Sequence, residues 1–490
     1  MVGDLDARVL GDAGPVVVTG LSLSSDRIRP GDLYAAIAGS RAHGAAYSGA
    51  AVAAGAVAVL TDAEGAGAAA AAGVPVLVVE APRALLGSLA ARLYGRPAEA
   101  LTLMAVTGTQ GKTTTTRLLE SGLQGSGRHA AVVGTVGTRI DGEDVKTALT
   151  TPEAPDLHAL FAVMRERNVE ACAMEVSSHA LVMGRVDGVV FDVAAFTNLG
   201  RDHLDFHADL EDYFSAKASL FTPERARLGL TNVDDAHGRR LLDRATIPMR
   251  TFSPAGADAD WVALDPSYDL DGTAFTVRTP AGDRFRARVP VPGEFNVANA
   301  LCAIALAGEA GFDPVAVADA IADSPGVPGR LERIDEGQQY LAVVDYAHKP
   351  DALEAVLRAL RPQTQGRLVV VIGAGGDRDT GKRPEMGRIA ARLADVVVVT
   401  DDNPRSEDPA AIRAAVLAGA REVDPTQRQA VELAEVGDRA AAIRRAVGLA
   451  RPGDIVLVAG KGHETGQEVA GAVTPFDDRD QLRAAIREAR

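Results

Sequence analysis

The first segment whose residues could do chemistry is a turn that contains two glycines, VTGTQGKTT at 106–114. It follows an apolar run. Backbone amides of such a turn converge on phosphate oxygens, and the following helix and the ammonium of Lys112 add positive charge. Thr113 supplies the hydroxyl that binds Mg²⁺ in such loops. Valine at 106 stands where the commoner G-x-x-x-x-G-K-[ST] pattern has glycine, so the turn predicts nucleotide binding without specifying its chemistry. The predicted loop is Thr107, Gly108, Thr109, Gln110, Gly111, Lys112 and Thr113.

Carboxylates and imidazoles follow this turn along the chain. Glu175 lies at the end of the apolar run VEACAMEV (169–176), where a carboxylate is either a Mg²⁺ ligand or a cap or surface residue. The run NLGRDHLDFH (198–207) contains Asp202, His203, Asp205 and His207. Its spacing does not match a zinc pair on one helix, and taken alone it is more typical of a solvated loop.

A lysine lies among apolar residues in the segment EDYFSAKASLF (211–221). At helical spacing Lys217 shares a face with Tyr213, Phe214, Leu220 and Phe221. A lysine in this setting usually snorkels to solvent, and the alternative is a function that requires burial.

The segment GEFNVANALCAIALA (293–307) predicts an apolar helix. Asn296 and Asn299 near its start are either helix caps or contacts to adenine. Composition alone favours caps.

Three turns in the last third of the chain carry mixed charge: GAGGDRDTGKRP (373–384), TDDNPRSEDP (400–409) and AGKGHETGQ (459–467). The first is not a dinucleotide fingerprint, because Arg378 occupies its third glycine position. The other two follow apolar runs. Arg405 could pair with the carboxylate of a zwitterion, and Asp402 and Glu464 with its ammonium. The turns therefore predict a pocket for a zwitterionic ligand.

These candidate residues require strands that end beside one another. Near-continuous apolar runs separated by helical patterns predict parallel sheets covered on both faces, and hence an α/β fold. Segments that contain Gly and Pro, at 93–100 and 323–333, predict boundaries between three domains, at 1–97, 98–328 and 329–490. The predicted strands lie within 74–80, 101–108, 169–176, 189–198, 340–347, 367–376, 395–402 and 454–460.

The composition, with 47% hydrophobic and 24% charged residues, is ordinary for a globular protein. A formal net charge of −15 argues against general nucleic-acid binding. No apolar run reaches about 18 residues and the amino terminus lacks a basic start, so we expect neither a membrane span nor a signal peptide. Cys172 and Cys302 lie in apolar runs, which favours buried thiols and a cytoplasmic location.

Taken together, the motifs resemble the Mur ligase family, and within it most closely the branch that adds diaminopimelate. They occur in order over residues 107–464, as TGTQGKTTT, EVSSHAL, TNLGRDHLDFH, YFSAKASLF, FNVANALCA, PGRLERI, VDYAHKPDAL, GAGGDRDTGKRPEMG, DDNPRSE and GKGHE. The resemblance implies a central P-loop domain with a parallel sheet. An amino-terminal α/β domain that binds uridine and a carboxyl-terminal Rossmann-like domain would flank it.

The resemblance implies an ATP-dependent amide ligase of peptidoglycan precursor synthesis. Its substrates would be UDP-N-acetylmuramoyl-L-alanyl-D-glutamate and diaminopimelate. The γ-phosphate of ATP would convert the acceptor carboxylate to an acyl phosphate, because a carboxylate itself resists amine attack. Lys112 and Mg²⁺ would stabilise the negative oxygens. We expect a monomer with no nucleic-acid partner.

The resemblance also implies roles for single residues, and here it reverses the snorkelling interpretation, because Lys217 matches the carbamylated lysine of the family. The implied catalytic residues are Lys112, Glu175, His203 and Lys217. The implied Mg²⁺ ligands are Thr113, Glu175, His203 and the carbamylated form of Lys217. ATP would contact the loop 107–113 and also Asn299, Arg330 and Asp345. The UDP substrate would contact Leu23, Ser25, Ser40, Arg41, Ala42, Thr150, Thr151, Ser177 and Arg185. The diaminopimelate pocket would comprise Arg378, Asp402, Asn403, Pro404, Arg405, Gly460 and Glu464.

The chain departs from the family pattern at two places. Ser24-Ser25-Asp26 stands where the family often has Asp-Ser-Arg, and Met183 stands where it often has glutamine. Relatives that add lysine lack the arginine at position 405, since lysine has no second carboxylate to pair with it.

Folylpolyglutamate synthase, which lacks a uridine-binding domain, and a regulatory P-loop NTPase are the competing interpretations.

Overall fold

The computed structural model describes residues 6–12, 14–39, 42–147, 149–269 and 272–489. Contacts between residues divide the chain into two units. The first comprises 1–253, 257–261 and 302–317, and the second comprises 254–256, 262–301 and 318–490. Ser40 and Arg41, two of the predicted substrate contacts, lie outside the described residues.

The first unit begins with a small α/β layer. Its elements are β1 (Arg8–Leu10), β2 (Gly20–Ser22), β3 (Asp32–Ala35), α1 (Ser48–Ala53), β4 (Ala58–Thr61), α2 (Ala66–Ala70), β5 (Val76–Val78) and α3 (Pro82–Leu93). The sheet order is β1-β5-β4-β3-β2. Strand β1 runs antiparallel to β5, and the other neighbours are parallel. Apolar side chains on both faces of this sheet are buried.

A larger sheet follows in the same unit. Its elements are β6 (Thr102–Thr107), α4 (Lys112–Gly125), β7 (Ala130–Val133), β8 (Thr138–Ile140), β9 (Glu143–Val145), α5 (Ala154–Glu166), β10 (Ala171–Glu175), α6 (Ser178–Val182), β11 (Phe191–Phe196), α7 (Leu210–Ala218), β12 (Ala226–Asn232), α8 (Ala236–Arg244) and β13 (Met249–Ser253). The strands follow the order β9-β8-β7-β10-β6-β11-β12-β13. The strands from β7 to β13 in this order are parallel, and β8 and β9 add an antiparallel edge.

The chain then passes through an antiparallel ribbon and two helices. These are β14 (Trp261–Asp269), β15 (Gly272–Arg278), β16 (Arg284–Val289), α9 (Glu294–Glu309) and α10 (Pro314–Ala322). The helix predicted at 293–307 is α9. Asn296 and Asn299 lie inside it and not at its cap, so the capping interpretation is wrong.

The main sheet of the second unit lies in its carboxyl-terminal part. The elements there are β17 (Glu332–Arg333), β18 (Leu341–Asp345), α11 (Pro350–Leu360), β19 (Leu368–Ile372), α12 (Lys382–Leu393), β20 (Val396–Val399), α13 (Pro409–Arg421), β21 (Glu432–Glu435), α14 (Arg439–Leu449), β22 (Ile455–Ala459), β23 (Gly466–Val469), β24 (Ala472–Pro475) and α15 (Asp478–Glu488). The order is β17-β18-β22-β19-β20-β21, in which β17 is antiparallel and the other strands are parallel. Strands β23 and β24 form a separate hairpin.

The eight strand-like runs of the sequence are all strands of these sheets, namely β5, β6, β10, β11, β18, β19, β20 and β22. Both cysteines are free and buried, as expected, and burial raises the pKa of each thiol. Among the described residues, no helix is long and apolar enough to cross a membrane.

Candidate active site

The register of three adjacent strands brings the first group of candidate residues to one sheet edge. Glu175 of β10 pairs with Val106 of β6, and Phe196 of β11 pairs with Thr107. Parallel strands present their carboxyl ends at the same edge. The glycine turn after β6, the carboxylate that ends β10 and the segment after β11 therefore meet there.

The glycine turn is braced by the segment that follows β11. The amide of Thr109 donates to the carbonyl oxygen of Asn198 at 2.9 Å, and the amide of Gln110 donates to its Oδ1 at 2.9 Å. Gly108 has a φ of 143°, and a Cβ there would lie 2.0 Å from Thr197 Oγ1. Glycine is therefore required by both backbone conformation and space.

Helix α4 begins at Lys112, as the sequence predicts, directly after Gly111 in a left-handed conformation. The ammonium of Lys112 donates to the carbonyl oxygens of Gly108 at 2.8 Å and Thr109 at 3.0 Å. The positive end of the helix and this ammonium thus lie at the same turn, which suits phosphate binding.

Lys217 reaches the same turn from helix α7. Its ammonium donates to the carbonyl oxygen of Gly108 at 2.8 Å and lies 4.5 Å from the centre of the Tyr213 ring. The residue is 1% exposed, so the snorkelling interpretation is wrong. Helix α7 ends at Ala218, and the rest of the predicted apolar stripe, Leu220 and Phe221, is buried beyond the helix end.

The Glu175 side chain is held in one orientation at the sheet edge. It is 1% exposed, and its Oε1 accepts from the amide of Thr135 at 2.7 Å. Its Oε2 accepts from the Thr135 hydroxyl at 3.1 Å, and a Cβ at Gly134 would lie 2.4 Å from Oε1. The hydroxyl of Thr151 donates to the Glu175 carbonyl oxygen at 2.9 Å, and Thr150 Oγ1 lies 3.1 Å from Thr135 Oγ1. Two predicted substrate contacts thus adjoin a predicted metal ligand.

His203 lies in a cluster of aromatic and imidazole rings. Its backbone has a φ of 52°, and its Nε2 lies 3.3 Å from Asp202 Oδ2. The His203 and His179 rings are 4.8 Å apart, and His179 stacks on Phe206 at 3.9 Å. Burial, aided by His207, lowers the pKa of His179.

Arg185, a predicted substrate contact, is positioned by a carboxylate. Its Nε donates to Glu153 Oε1 at 2.9 Å, while Arg83 donates to Oε2 of the same residue at 3.2 Å. The Arg185 guanidinium also lies 3.5 Å from the sulfur of Met183, the position where the family pattern often has glutamine. Ser177 caps helix α6 by accepting from an amide of its first turn.

The remaining predicted contacts of the first unit lie in the amino-terminal layer. Ser25 begins a short 3₁₀ helix, and Leu23 packs partly buried against the core of that layer. The carbonyl oxygen of Ala42 accepts from the amide of Gly39 at 3.1 Å. His43, which was not singled out from the sequence, accepts from an amide through Nδ1, and its Nε2 lies 3.1 Å from Asp62.

In the second unit, Asp345 ends strand β18 at the carboxyl edge of its sheet. It is buried, and its carboxylate accepts from the amides of Leu331 at 2.7 Å and Ala347 at 2.8 Å. Burial raises its pKa, which the nearby Arg330 partly offsets. The Arg330 guanidinium lies 4.4 Å from the centre of the Tyr346 ring. Asn299 donates to Asn296 Oδ1 at 3.2 Å within α9.

Three hydrogen-bonded side chains connect two loops at the same sheet edge. Asn403 Nδ2 donates to Glu464 Oε2 at 2.9 Å. Lys461, which is fully buried, donates to Asn403 Oδ1 at 2.9 Å and to Glu464 Oε2 at 3.1 Å. The loops after β20 and β22 are thus held together.

Asp402 immediately precedes Asn403, and one oxygen of its carboxylate accepts no hydrogen bond from the described residues. It is 8% exposed, and its Oδ2 has no hydrogen-bond partner among the described residues. A Cβ at Gly460 would lie 2.6 Å from that oxygen, so a side chain at position 460 would collide with the carboxylate. An orphaned buried carboxylate oxygen is costly unless a ligand donates to it.

Arg405 follows Asn403 and Pro404 on the same turn. It has a φ of 52°, and its guanidinium donates to the carbonyl oxygen of Gly376 at 2.6 Å. Its Nε lies 3.5 Å from Glu468 Oε2, and its side chain remains 26% exposed. Arg378 lies exposed on the neighbouring loop. The same turn therefore carries the buried carboxylate of Asp402 and, three residues later, the partly exposed guanidinium of Arg405.

Three domain families match the sequence in this order: Mur ligase family, catalytic domain, at 17–94; Mur ligase middle domain, at 106–307; and Mur ligase, glutamate ligase domain, at 329–462. The chain belongs to the Mur ligase family. Members of this family are ATP-dependent ligases of peptidoglycan precursor synthesis.

This Mur ligase is similar along nearly its full length to proteins named UDP-N-acetylmuramoyl-L-alanyl-D-glutamate–2,6-diaminopimelate ligase. The one from Streptomyces avermitilis is 58% identical, over 96% of this chain and 93% of the relative. The one from Streptomyces coelicolor is 57% identical, over 97% and 94%. A solved structure of a protein with that name is 34% identical, with a TM-score of 0.69, and covers 96% of this chain and 95% of its own.

The competing interpretation also has a structural relative. Folylpolyglutamate synthase of Mycobacterium tuberculosis, solved with ADP, has a TM-score of 0.62 at 20% identity, covering 78% of this chain and 93% of its own. Similarity at that level shows a common fold only.

The oxygen donors at the sheet edge of the first unit suit Mg²⁺. Mg²⁺ usually takes one or two carboxylates, waters and substrate phosphates rather than a cage made by protein alone. In the described part of this Mur ligase, no group of three or more His, Cys, Asp or Glu is arranged to hold a metal. A carboxylate such as that of Glu175 fits an ion that is held jointly with phosphate, and Thr113 lies in the first turn of α4.

Some residues of this site were missed from the sequence. Asn198 braces the glycine turn and Thr135 braces Glu175, but no role was predicted for either residue, although Asn198 begins the motif NLGRDHLDFH. Thr197 is similar, because its importance lies in its packing against Gly108. The signal that could have indicated Thr197 and Asn198 is their place in the motif TNLGRDHLDFH, whereas Thr135 lies in none of the motifs quoted from the sequence.

Proposed function

We propose that this Mur ligase joins diaminopimelate to UDP-N-acetylmuramoyl-L-alanyl-D-glutamate and converts ATP to ADP and phosphate. The observation that carries the proposal is the Asp-Asn-Pro-Arg turn. Its buried Asp402 retains an unpartnered oxygen, and the guanidinium of Arg405 remains accessible. Two relatives that are 58% and 57% identical to this chain bear the corresponding name.

The proposed reaction has two steps. The acceptor carboxylate attacks the γ-phosphorus of ATP, which forms an acyl phosphate and releases ADP. The amine of diaminopimelate then attacks the acyl carbon, loses a proton and expels phosphate, which leaves an amide. Activation is needed because an unactivated carboxylate is a poor acceptor for an amine.

The first step would use the sheet edge of the first unit. The amides of the loop 107–113 and the ammonium of Lys112 would bind the phosphates of ATP. Thr113, Glu175 and His203 would hold Mg²⁺, together with Lys217 if it is carbamylated. When bound, Mg²⁺ neutralises phosphate charge. The fixed orientation of Glu175 supports its role, because its oxygens are already held by Thr135.

Substrate contacts are proposed around these residues. Thr150, Thr151, Ser177 and Arg185 would bind the muramoyl peptide, which the hydrogen bond from Thr151 to the Glu175 carbonyl oxygen supports. Leu23, Ser25 and Ala42 would contact the uridine part. Asn299, Arg330 and Asp345 would contact ATP.

The amine substrate would bind in the second unit. Arg405, with Arg378, would pair with a carboxylate of diaminopimelate, and a guanidinium suits that bidentate contact better than an ammonium. Asp402 and Glu464 would accept from an ammonium of the substrate. Asn403, Pro404 and Gly460 would complete the pocket. Lysine, the alternative substrate, has no second carboxylate for Arg405.

We further propose domain limits at 1–97, 98–328 and 329–490, a monomeric state and a cytoplasmic location. The three family matches lie inside these limits, which supports the division. The strongly negative net charge supports the absence of a nucleic-acid partner.

The experiment that tests the proposal measures phosphate release from ATP with each substrate omitted in turn. The proposal predicts release only when the UDP-muramoyl dipeptide and diaminopimelate are both present. Equal release without the amino acid would contradict a ligase of this type. Release with a folate substrate instead would favour the folylpolyglutamate alternative.

A further inference from the structure

His207 has no role in the proposed reaction, although both of its ring nitrogens make polar contacts. It lies four residues after His203 and is 3% exposed. Its Nδ1 lies 3.1 Å from Asp212 Oδ2, and its Nε2 lies 2.9 Å from Ser178 Oγ. The three side chains thus form a continuous hydrogen-bonded chain.

The chemistry of the partners fixes how the imidazole is oriented. An ionised carboxylate only accepts, so the proton between His207 and Asp212 belongs to Nδ1. In the neutral imidazole, Nε2 then accepts from the hydroxyl of Ser178, which is itself 1% exposed. Flipping the ring would leave its two buried nitrogens and the Ser178 hydroxyl without these hydrogen bonds, which is costly.

The chain connects segments that carry proposed active-site residues. Ser178 begins helix α6 directly after Ser177, and Asp212 lies in the first turn of α7, the helix of Lys217. The backbone amide of His207 also donates to the carbonyl oxygen of His203 at 2.9 Å.

His203 needs such support because of its backbone. Its φ of 52° is uncommon for a residue other than glycine and persists only where the surroundings impose it. The carbonyl oxygen of His203 accepts from the amides of Phe206 and His207, at 3.1 Å and 2.9 Å. The anchoring of His207 at both ring nitrogens therefore fixes the turn that carries the His203 imidazole.

We infer that His207 is a positioning residue that holds the imidazole of His203 in its working geometry through Asp212 and Ser178. This inference rests on the proposed function, because it takes His203 to be a Mg²⁺ ligand. Groups that orient a metal ligand typically contribute 10- to 100-fold to metal affinity or activity.

The chain offers a matched control. His129 and Asp141 make the same contact, Nδ1 to Oδ2 at 3.1 Å, and Asp141 is exposed to 43% as Asp212 is to 53%, but the side chain of His129 is 58% exposed and that of His207 only 1%. His129 immediately precedes β7, at the opposite edge of the sheet from the glycine turn. A change in His129 therefore removes a similar pair without touching the cluster.

The test uses the full-length protein with a nonhydrolysable ATP analogue and measures Mn²⁺ binding by electron paramagnetic resonance, alongside kcat and KM. His207→Ala should weaken Mn²⁺ binding and lower kcat by at least about 10-fold each, with KM for diaminopimelate unchanged. His207→Asn keeps a donor toward Asp212 and should recover much of the loss. His129→Asn should change neither quantity.

His203→Ala separates this inference from the proposed function. If it leaves Mn²⁺ affinity unchanged, the proposed ligand role of His203 is wrong. If it weakens Mn²⁺ binding while His207→Ala does not, the positioning role of His207 is overturned. If His207→Ala fails to fold, Ser178→Ala carries the test, and a normal Mn²⁺ affinity in that variant would also overturn the inference.

Discussion

The ammonium groups of Lys112 and Lys217 both donate to the carbonyl oxygen of Gly108, each at 2.8 Å. Two positive charges on one acceptor repel each other, and burial weakens the screening that water would provide. Carbamylation of Lys217 would replace this repulsion with attraction, because the product is an anion. The geometry therefore agrees with the proposed modification of Lys217.

Replacing Lys217 by arginine is expected to abolish most of the activity. Arginine keeps the positive charge but does not form the proposed carbamate. We expect kcat to fall by about 100-fold or more, the size of effect seen when one preorganised electrostatic group is lost. Steady-state phosphate release would measure this, with Lys146→Arg, a change at an exposed lysine, as the control. Full activity of Lys217→Arg would exclude an essential carbamate.

A Cβ at Gly108 is expected to disrupt the nucleotide loop. In Gly108→Ala the new methyl group would meet Thr197 Oγ1 at 2.0 Å, in a backbone conformation that alanine rarely adopts. Isothermal titration should show ATP affinity reduced by at least about 10-fold, since tight packing leaves no low-energy adjustment. Gly127→Ala is the control, because Gly127 also has a positive φ but has nothing within 4 Å. Equal ATP affinity in both variants would contradict the role of this packing.

The sequence predicted the architecture around this loop well. The strand, glycine turn and helix at 102–125 follow from an apolar run, two glycines and a helical pattern, all of which are local signals. The position of Glu175 followed from the rule that parallel strands end at one edge.

Contacts between distant segments were beyond the sequence. From the residues alone we expected the Lys217 side chain to reach solvent. It is buried because it contacts Gly108, which lies 109 positions earlier in the sequence and could not be placed there from local patterns. The unpartnered oxygen of Asp402 depends in the same way on how its loop packs against Gly460 in the loop after β22. Such relationships carry no local pattern, so only a family resemblance or the structure reveals them.

Lys461 is expected to control the binding of diaminopimelate without contacting ATP. Its ammonium orients Asn403 and Glu464, and Lys461→Met would leave both without that donor. We expect KM for diaminopimelate to rise by about 10-fold or more, because a hydrogen bond to a charged group is worth about 1.5–3 kcal/mol. KM for ATP should not change, and Lys146→Met serves as the control. A parallel rise in both KM values would indicate a general loss of structure instead.

His348 is expected to make the fold sensitive to acid. Burial, with repulsion from Lys349, lowers its pKa from 6.5 to about 4. A depressed histidine pKa contributes stability that is present above the ordinary pKa and is lost as the pH falls toward about 4. The melting temperature should therefore fall between pH 7 and pH 4.5, and fall less in His348→Gln. An identical decrease in both proteins would show that His348 is not the cause.

The measurement that tests the central claim most directly is amide formation with meso-diaminopimelate, LL-diaminopimelate and lysine, assayed side by side with ATP and the UDP-muramoyl dipeptide. Wild-type protein should form an amide product with diaminopimelate far faster than with lysine. Arg405→Ala should remove most of that preference while leaving ATP affinity unchanged. Equal rates with lysine, or an unaltered preference in Arg405→Ala, would contradict the assignment of this enzyme as a ligase for diaminopimelate.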